Sequence, residues 1–226
     1  KSDKPVQYQA STSYNLATKG KVELAGGELT DPESPGTKVT WSNINMGFDV
    51  NKDLAGEYDM TLNEVSATVL PEVMEEQDGE DMPKSITMKM KDMKVEGSYN
   101  PTKWAYIYTG KSTSLVDSFE MATLDHAGKE STVVQKGFKA ISDISLDGDF
   151  MSAKSENTVD SIAIDGKDFG KLTYNVELNH IEANAINALI EALFTVFESI
   201  SDEENSSNEE MVSEILSSWV ENHGMA

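Results

Sequence analysis

A chain of 226 residues is long enough to bury a core, and a hydrophobic share of 38% suits a thin sheet with one wet face better than a parallel sheet covered on both sides. With 40 acidic against 18 basic residues, the formal charge of −22 disfavours nucleic acid and anionic lipid surfaces, because binding to either needs Lys and Arg to neutralise phosphate. The absence of cysteine excludes disulfides, thiolate metal sites and cysteine nucleophiles without deciding the compartment, and no apolar run reaches membrane-spanning length.

From Val6 to Leu178 the dominant pattern is period-two alternation, the mark of strands with one apolar face. Val6, Tyr8 and Ala10 alternate with polar residues, and so do Tyr58, Met60 and Leu62, then Ile86, Met88 and Met90. Several runs slip by one position: Val39 and Trp41 give way to Ile44, Met46, Phe48 and Val50, and Met90 gives way to Met93 and Val95. A slip turns every later side chain to the other face unless an extra residue is absorbed, so long bulged strands are expected. A weak repeat underlies the slips: Asn43-Ile44-Asn45-Met46-Gly47, Asp92-Met93-Lys94-Val95-Glu96-Gly97 and Asp143-Ile144-Ser145-Leu146-Asp147-Gly148. It suggests a recurring unit with the polar residue at the bulge and Gly at the following bend.

Turn signals separate the runs at residues 31–36, Asn51-Lys52-Asp53, Asn100-Pro101, Asp125-His126-Ala127-Gly128 and Asp165-Gly166, and the acidic stretch 72–82 reads as a loop. After Asn179 the period changes to about 3.6. Ile186, Leu189, Ile190, Leu193, Phe194 and Phe197 form the stripe of one amphipathic helix, and Val212, Ile215, Leu216, Trp219 and Val220 that of a second. Ser207 and Glu210 have capping-box spacing at the start of the second, and Gly224 is placed to stop it. The expected fold is therefore mainly β (α+β): a long curved antiparallel sheet over 1–178, with a two-helix hairpin over 179–226 packing on it.

The motifs that could carry chemistry mostly favour a structural role. Asp168-Phe169-Gly170 copies a kinase tripeptide without the other kinase segments, which leaves a strand-connecting turn. Gly110-Lys111-Ser112 has the ending of a P-loop, but Ala105 stands where its first Gly belongs and the run continues a β pattern. Asp49, Asn51 and Asp53 have the spacing of a calcium loop, yet Leu54 replaces the Gly of its sharp turn and Met60 its bidentate Glu. His126, His180 and His223 are scattered and include no helical metal pair. No catalytic residue, metal site or cofactor is expected.

The Met-rich run and the helical stripes admit two readings. Core packing between helices and sheet is favoured, and the alternative is a hydrophobic groove lined by Met88, Met90, Met93, Ile186, Leu189, Leu193, Phe197, Leu216 and Trp219, where flexible Met side chains adapt to a lipid or a partner segment.

The run Ile162-Ala163-Ile164-Asp165-Gly166-Lys167-Asp168-Phe169-Gly170-Lys171-Leu172-Thr173-Tyr174-Asn175-Val176-Glu177-Leu178, followed by Asn179-His180-Ile181-Glu182 and Ala188-Leu189, resembles the YdgA-like proteins of Gram-negative bacteria, a family of unknown function. The run from Gln7 to Leu16, Leu24-Ala25-Gly26-Gly27-Glu28-Leu29, Ala55-Gly56-Glu57 and Leu115-Val116-Asp117-Ser118-Phe119 resemble it too. The resemblance implies a periplasmic body, an inner-membrane anchor outside this chain and further β-rich sequence beyond it. It brings no catalytic or binding residues. The expected function is a non-catalytic periplasmic module that scaffolds or binds an envelope protein. The alternatives are a lipid or hydrophobic-ligand carrier with a groove between sheet and helices and, more weakly, an envelope hydrolase. A homodimer through sheet edges or helix faces is left open.

Overall fold

A computed structural model describes residues 6–14, 16–30, 36–70 and 83–202, with side chains as far as Phe194. The strands are β1 (Gln7–Thr12), β2 (Thr18–Leu24), β3 (Gly27–Thr30), β4 (Lys38–Trp41), β5 (Ile44–Val50), β6 (Gly56–Val69), β7 (Ser85–Pro101), β8 (Tyr108–Leu124), β9 (Glu130–Asp147), β10 (Phe150–Ile164) and β11 (Lys167–Glu182), and one helix follows, α1 (Ala183–Asp202). All eleven strands belong to one sheet in the order β1-β2-β5-β6-β7-β8-β9-β10-β11, with β3 paired to β4 and β4 to β6 off that path. The path ends on β1 and β11, so the sheet is open, and from β5 onward each strand lies beside its chain neighbour, as short turns between antiparallel strands dictate. The second expected helix lies outside the described residues, as do Leu216, Trp219, His223 and the acidic stretch 72–82; the described helical part is α1 alone.

The one-residue slips in the sequence are not isolated bulges. β2 and β3 lie end to end against β5 and β4, which in turn lie end to end against β6, and the register does not shift across either break: Leu24↔Ile44 and Gly27↔Trp41 on one side, Ile44↔Leu62 and Trp41↔Val65 on the other. Between β6 and β7 the register likewise runs through from Gly56↔Tyr99 to Val69↔Ile86, missing a partner only between Leu62↔Met93 and Glu64↔Lys91. β6 and β7 thus change phase at the level where β2 gives way to β3 and β4 to β5, so apolar residues stay opposite apolar ones on both sides: Ile44, Leu62 and Met93 in one row, Trp41, Val65 and Met90 in the next. We call this level the seam.

Polar groups hold the seam together. The Gly26 amide donates to Asn43 Oδ1 at 2.8 Å, the Trp41 indole donates to the Ala25 carbonyl at 3.2 Å, and Ser42 and Glu64 exchange two bonds of 2.8 and 2.9 Å, one through the Ser42 hydroxyl. Asp92 sits there with φ 49, in the left-handed region where Asp is better tolerated than most residues. Asn43 and Asp92, the first residues of two of the repeats, therefore stand at the break as expected. Gly47 and Gly97 correct the reading of their ends, because both lie inside strands; only Gly148 occupies a turn, with φ 62 between β9 and β10.

Three turns share one hydrogen-bond scheme, closed by a left-handed residue. Ser13 and Ala17, Asn51 and Ala55, and Asp125 and Lys129 bracket them, and the left-handed position is filled by Leu16 (φ 67), Leu54 (φ 63) and Gly128 (φ 81).

The chain divides into two compact units, Lys1–Tyr99 with Lys111–Ser142 and Ser155–Val176, and Asn100–Gly110 with Asp143–Lys154 and Glu177–Ala226. In the first unit Val159 is buried beside Asn157, whose amide donates to Ser155 Oγ at 3.0 Å. In the second, α1 is held at its start by the Ala183 amide donating to Asp149 O at 2.8 Å, with Ala183 and Ala185 buried. Asn187 Oδ1 accepts from the Tyr106 amide at 3.0 Å, and the Tyr106 and Phe194 rings lie 5.4 Å apart, so the loop between β7 and β8 packs along the helix. No helix among the described residues is long and apolar enough to cross a membrane.

Candidate functional site

The expected groove residues fall into different units. Met88, Met90 and Met93 are half-buried on β7 of the first unit, opposite Ala67, Val65 and Leu62. Ile186, Leu189 and Leu193 are half-buried on α1 of the second, and Phe197 lies farther along that helix.

None of them lines the concavity that the first unit does contain, an open cleft of about 810 Å³. It crosses β1, β2, β5, β6, β7 and β8 and reaches Ile141 on β9. Its central row is fixed by register: Ala10 opposite Gly20, Gly20 opposite Phe48, Phe48 opposite Tyr58, Tyr58 opposite Gly97. The two rings splay in opposite directions. Phe48 covers Gly20, and Tyr58 covers Gly97, where an added Cβ would lie 2.8 Å from both the Tyr58 hydroxyl and the backbone oxygen of Lys111. The same pairing recurs nearby, with Tyr99 over Gly56 and Trp41 over Gly27. Glycine weakens a strand by its backbone entropy, and a ring laid over the bare backbone of its cross-strand neighbour restores buried area. The rings cover the backbone and present their own faces instead.

The residues flanking that row carry charge, and the strand period of two turns their side chains to the opposite face of the sheet from Phe48 and Tyr58. Asp49 stands opposite Glu57, and Asp59 opposite Glu96, two like-charge cross-strand pairs that repel. Each has one lysine in attendance: Lys19 bonds Asp49 at 2.5 Å and Lys94 bonds Glu96 at 2.7 Å. The hydrogen bond to Asp49 and its charge, with a smaller contribution from Glu57, hold the Lys19 ammonium above its ordinary range, and Glu96 followed by Asp59 does the same for Lys94. Lys21 and Lys111 complete the basic side of the lining. This charged face is a mixed, paired surface.

The other sequence motifs have structural roles. Asp168 Oδ1 accepts from the Gly170 amide at 2.8 Å, and Gly170 has φ 85, so the kinase-like tripeptide is a local side-chain-capped bend within β11. Gly110, Lys111 and Ser112 lie within β8 and precede no helix. Asn51 Oδ1 accepts from the Asp53 and Ala55 amides at 2.9 and 3.2 Å, and Asp49 is engaged by Lys19, which turns the calcium-like spacing into a capped hairpin. His180 stacks on Phe150 with ring centroids 3.8 Å apart, and His126 lies in an exposed turn. Among the described residues no three His, Asp or Glu side chains are grouped to hold a metal ion.

The residues that make the cleft, Gly20, Gly97, Phe48 and Tyr58, carried only a faint signal: glycines inside strand patterns, which mark close approach of a neighbour.

The chain belongs to the DUF945 family, described as a bacterial protein of unknown function, whose family model matches residues 1–219. It is 28% identical over 196 residues to an uncharacterized protein of Haemophilus influenzae, a match covering 86% of this chain and 51% of that protein. The chain thus spans about half the length of the curated relative it matches. No solved structure matches it.

Proposed function

We propose that this member of a bacterial family of unknown function is a non-catalytic binding module, and that the cleft crossing the first unit is its recognition surface. The observation carrying the reading is the floor of ring-covered glycines: an occupant lying along the cleft meets the faces of Phe48 and Tyr58. The rings of Phe48 and Tyr58 suit a partner segment carrying aromatic or aliphatic side chains. The resemblance to the YdgA-like proteins supports a periplasmic address with an inner-membrane anchor outside this chain, and so an envelope protein as the partner. A photo-crosslinking residue at Thr113, in the cleft, tests the reading in cells against the same residue at Lys129, in an exposed turn outside its lining. The expected result is a defined protein adduct from Thr113 that Tyr58→Ala weakens. A lipid adduct instead would favour the carrier, and no adduct would remove the cleft from the function.

A further inference from the structure

The turns joining β1 to β2 and β5 to β6 leave the same end of the sheet, because Thr12 pairs with Thr18, Thr18 with Val50 and Val50 with Gly56. With strands about 4.8 Å apart, the two tips sit roughly 10 Å from each other. Both place a leucine in the left-handed conformation, where a side chain is unfavourable and glycine is the ordinary choice, and the third turn of the same scheme does use Gly128. Neither leucine is compensated by packing: Leu16 is 74% exposed and Leu54 66%, and Tyr14 on the first tip is fully exposed. Strain that keeps an apolar side chain in water at two adjacent tips points to a use for those side chains outside the fold.

The tips are also electrically unlike the chain. Over residues 13–17 and 51–55 the acidic and basic side chains are Lys52 and Asp53, which pair at 3.6 Å, so both tips are neutral on a chain of net charge −22. Isolated protruding side chains have no concave complement of their own, and a deformable apolar medium accepts them without one. Tyrosine and leucine next to neutral polar turn residues are the composition that settles at a bilayer–water interface.

We propose that Tyr14, Leu16 and Leu54 form a two-tip contact that inserts shallowly into the interface of a zwitterionic lipid bilayer. The contact is independent of the cleft, which lies on the strands between Gln9 and Ile141 and includes none of the three residues. It needs no anionic lipid, since the tips present no excess positive charge.

Flotation of the chain with phosphatidylcholine vesicles, with and without phosphatidylglycerol, tests this against the double variant Leu16→Gly/Leu54→Gly and the double variant Leu16→Asn/Leu54→Asn. The unsubstituted chain is expected to float with pure phosphatidylcholine, and each double variant to lose roughly tenfold or more of that partitioning, the equivalent of two partly buried leucines. Both variants are expected to melt at the same temperature or higher, since glycine and asparagine tolerate the left-handed position. Failure of the unsubstituted chain to float, flotation only with phosphatidylglycerol, or undiminished flotation of the variants would each overturn the proposal. So would self-association that rises with concentration and disappears in the double variants, because the tips would then serve a second copy of the chain.

Discussion

β6 and β7 behave as two different structures on the two sides of the seam. From Glu64 to Val69 and from Ser85 to Met90 every residue is half-buried, so both faces of the strands are partly covered. From Met93 to Gly97 half-buried and exposed residues alternate, and here glycines and rings occupy one face and paired charges the other. The same two strands, in one register, are half-covered on both faces at one end and covered on one face alone at the other. The difference teaches that a change of phase shared by neighbouring strands lets a sheet change its environment along its length without losing a ladder partner beyond the seam itself.

The largest effect is expected from filling the cleft floor. Gly97→Ala puts a methyl against the Lys111 backbone, which cannot rotate away, and should cost roughly 1–3 kcal/mol in urea unfolding. If that variant unfolded at the same urea concentration as the unsubstituted chain, the close approach of β7 and β8 at the cleft would be wrong. Truncating the methionines compares the two sides directly. Met90→Ala, opposite Val65 where both faces are covered, should cost about 1–2 kcal/mol, and Met93→Ala, opposite Leu62 beside exposed neighbours, about half as much. Equal losses would erase the distinction drawn at the seam.

A smaller, opposite effect is expected at the seam. Asp92→Gly removes the left-handed strain at φ 49 and should raise stability by up to about 1 kcal/mol, while Asp92→Val should lower it. The same sign for both, read from thermal melts, would mean that the Asp92 side chain and not its backbone holds the break.

The smallest effect is that of pH, because the shifted groups are exposed. Lys19 and Lys94 titrate above the ordinary lysine range when folded, so their contribution is complete below that range and is lost as pH rises through the raised values. Glu28, lowered chiefly by its hydrogen bond with Lys38, contributes above the ordinary carboxylate range and loses its contribution as pH falls through the lowered value. Between those windows these three groups should leave stability flat, and salt should shrink both shoulders. A steep slope near neutrality in a urea-midpoint titration would point to other groups.

Much of the architecture was written in local patterns. Alternation of apolar and polar residues marks strands because the side-chain period of a strand is two whatever its neighbours are, so the runs through Tyr58, Met60 and Leu62 or Ile86, Met88 and Met90 could be placed directly. The change to a 3.6 period after Asn179 located α1 for the same reason. The capped turns at Asn51 and Asp125 were visible in their residue types, which bond their own backbone.

What the sequence could not contain was level. The slips at Asn43 and Asp92 lie far apart in the chain, and only the pairing of β5 with β6 and of β6 with β7 brings them into one line. Read strand by strand they looked like separate bulges, because register is a property of pairs. The cleft has the same origin. Gly20 and Phe48, or Tyr58 and Gly97, are ordinary residues until the ladder sets ring over bare backbone. The sequence by itself determined that the chain makes strands, where they turn and where a helix begins, since those follow from neighbours along the backbone. The tertiary structure alone decided which residues share a row, and the seam and the cleft exist only in those rows.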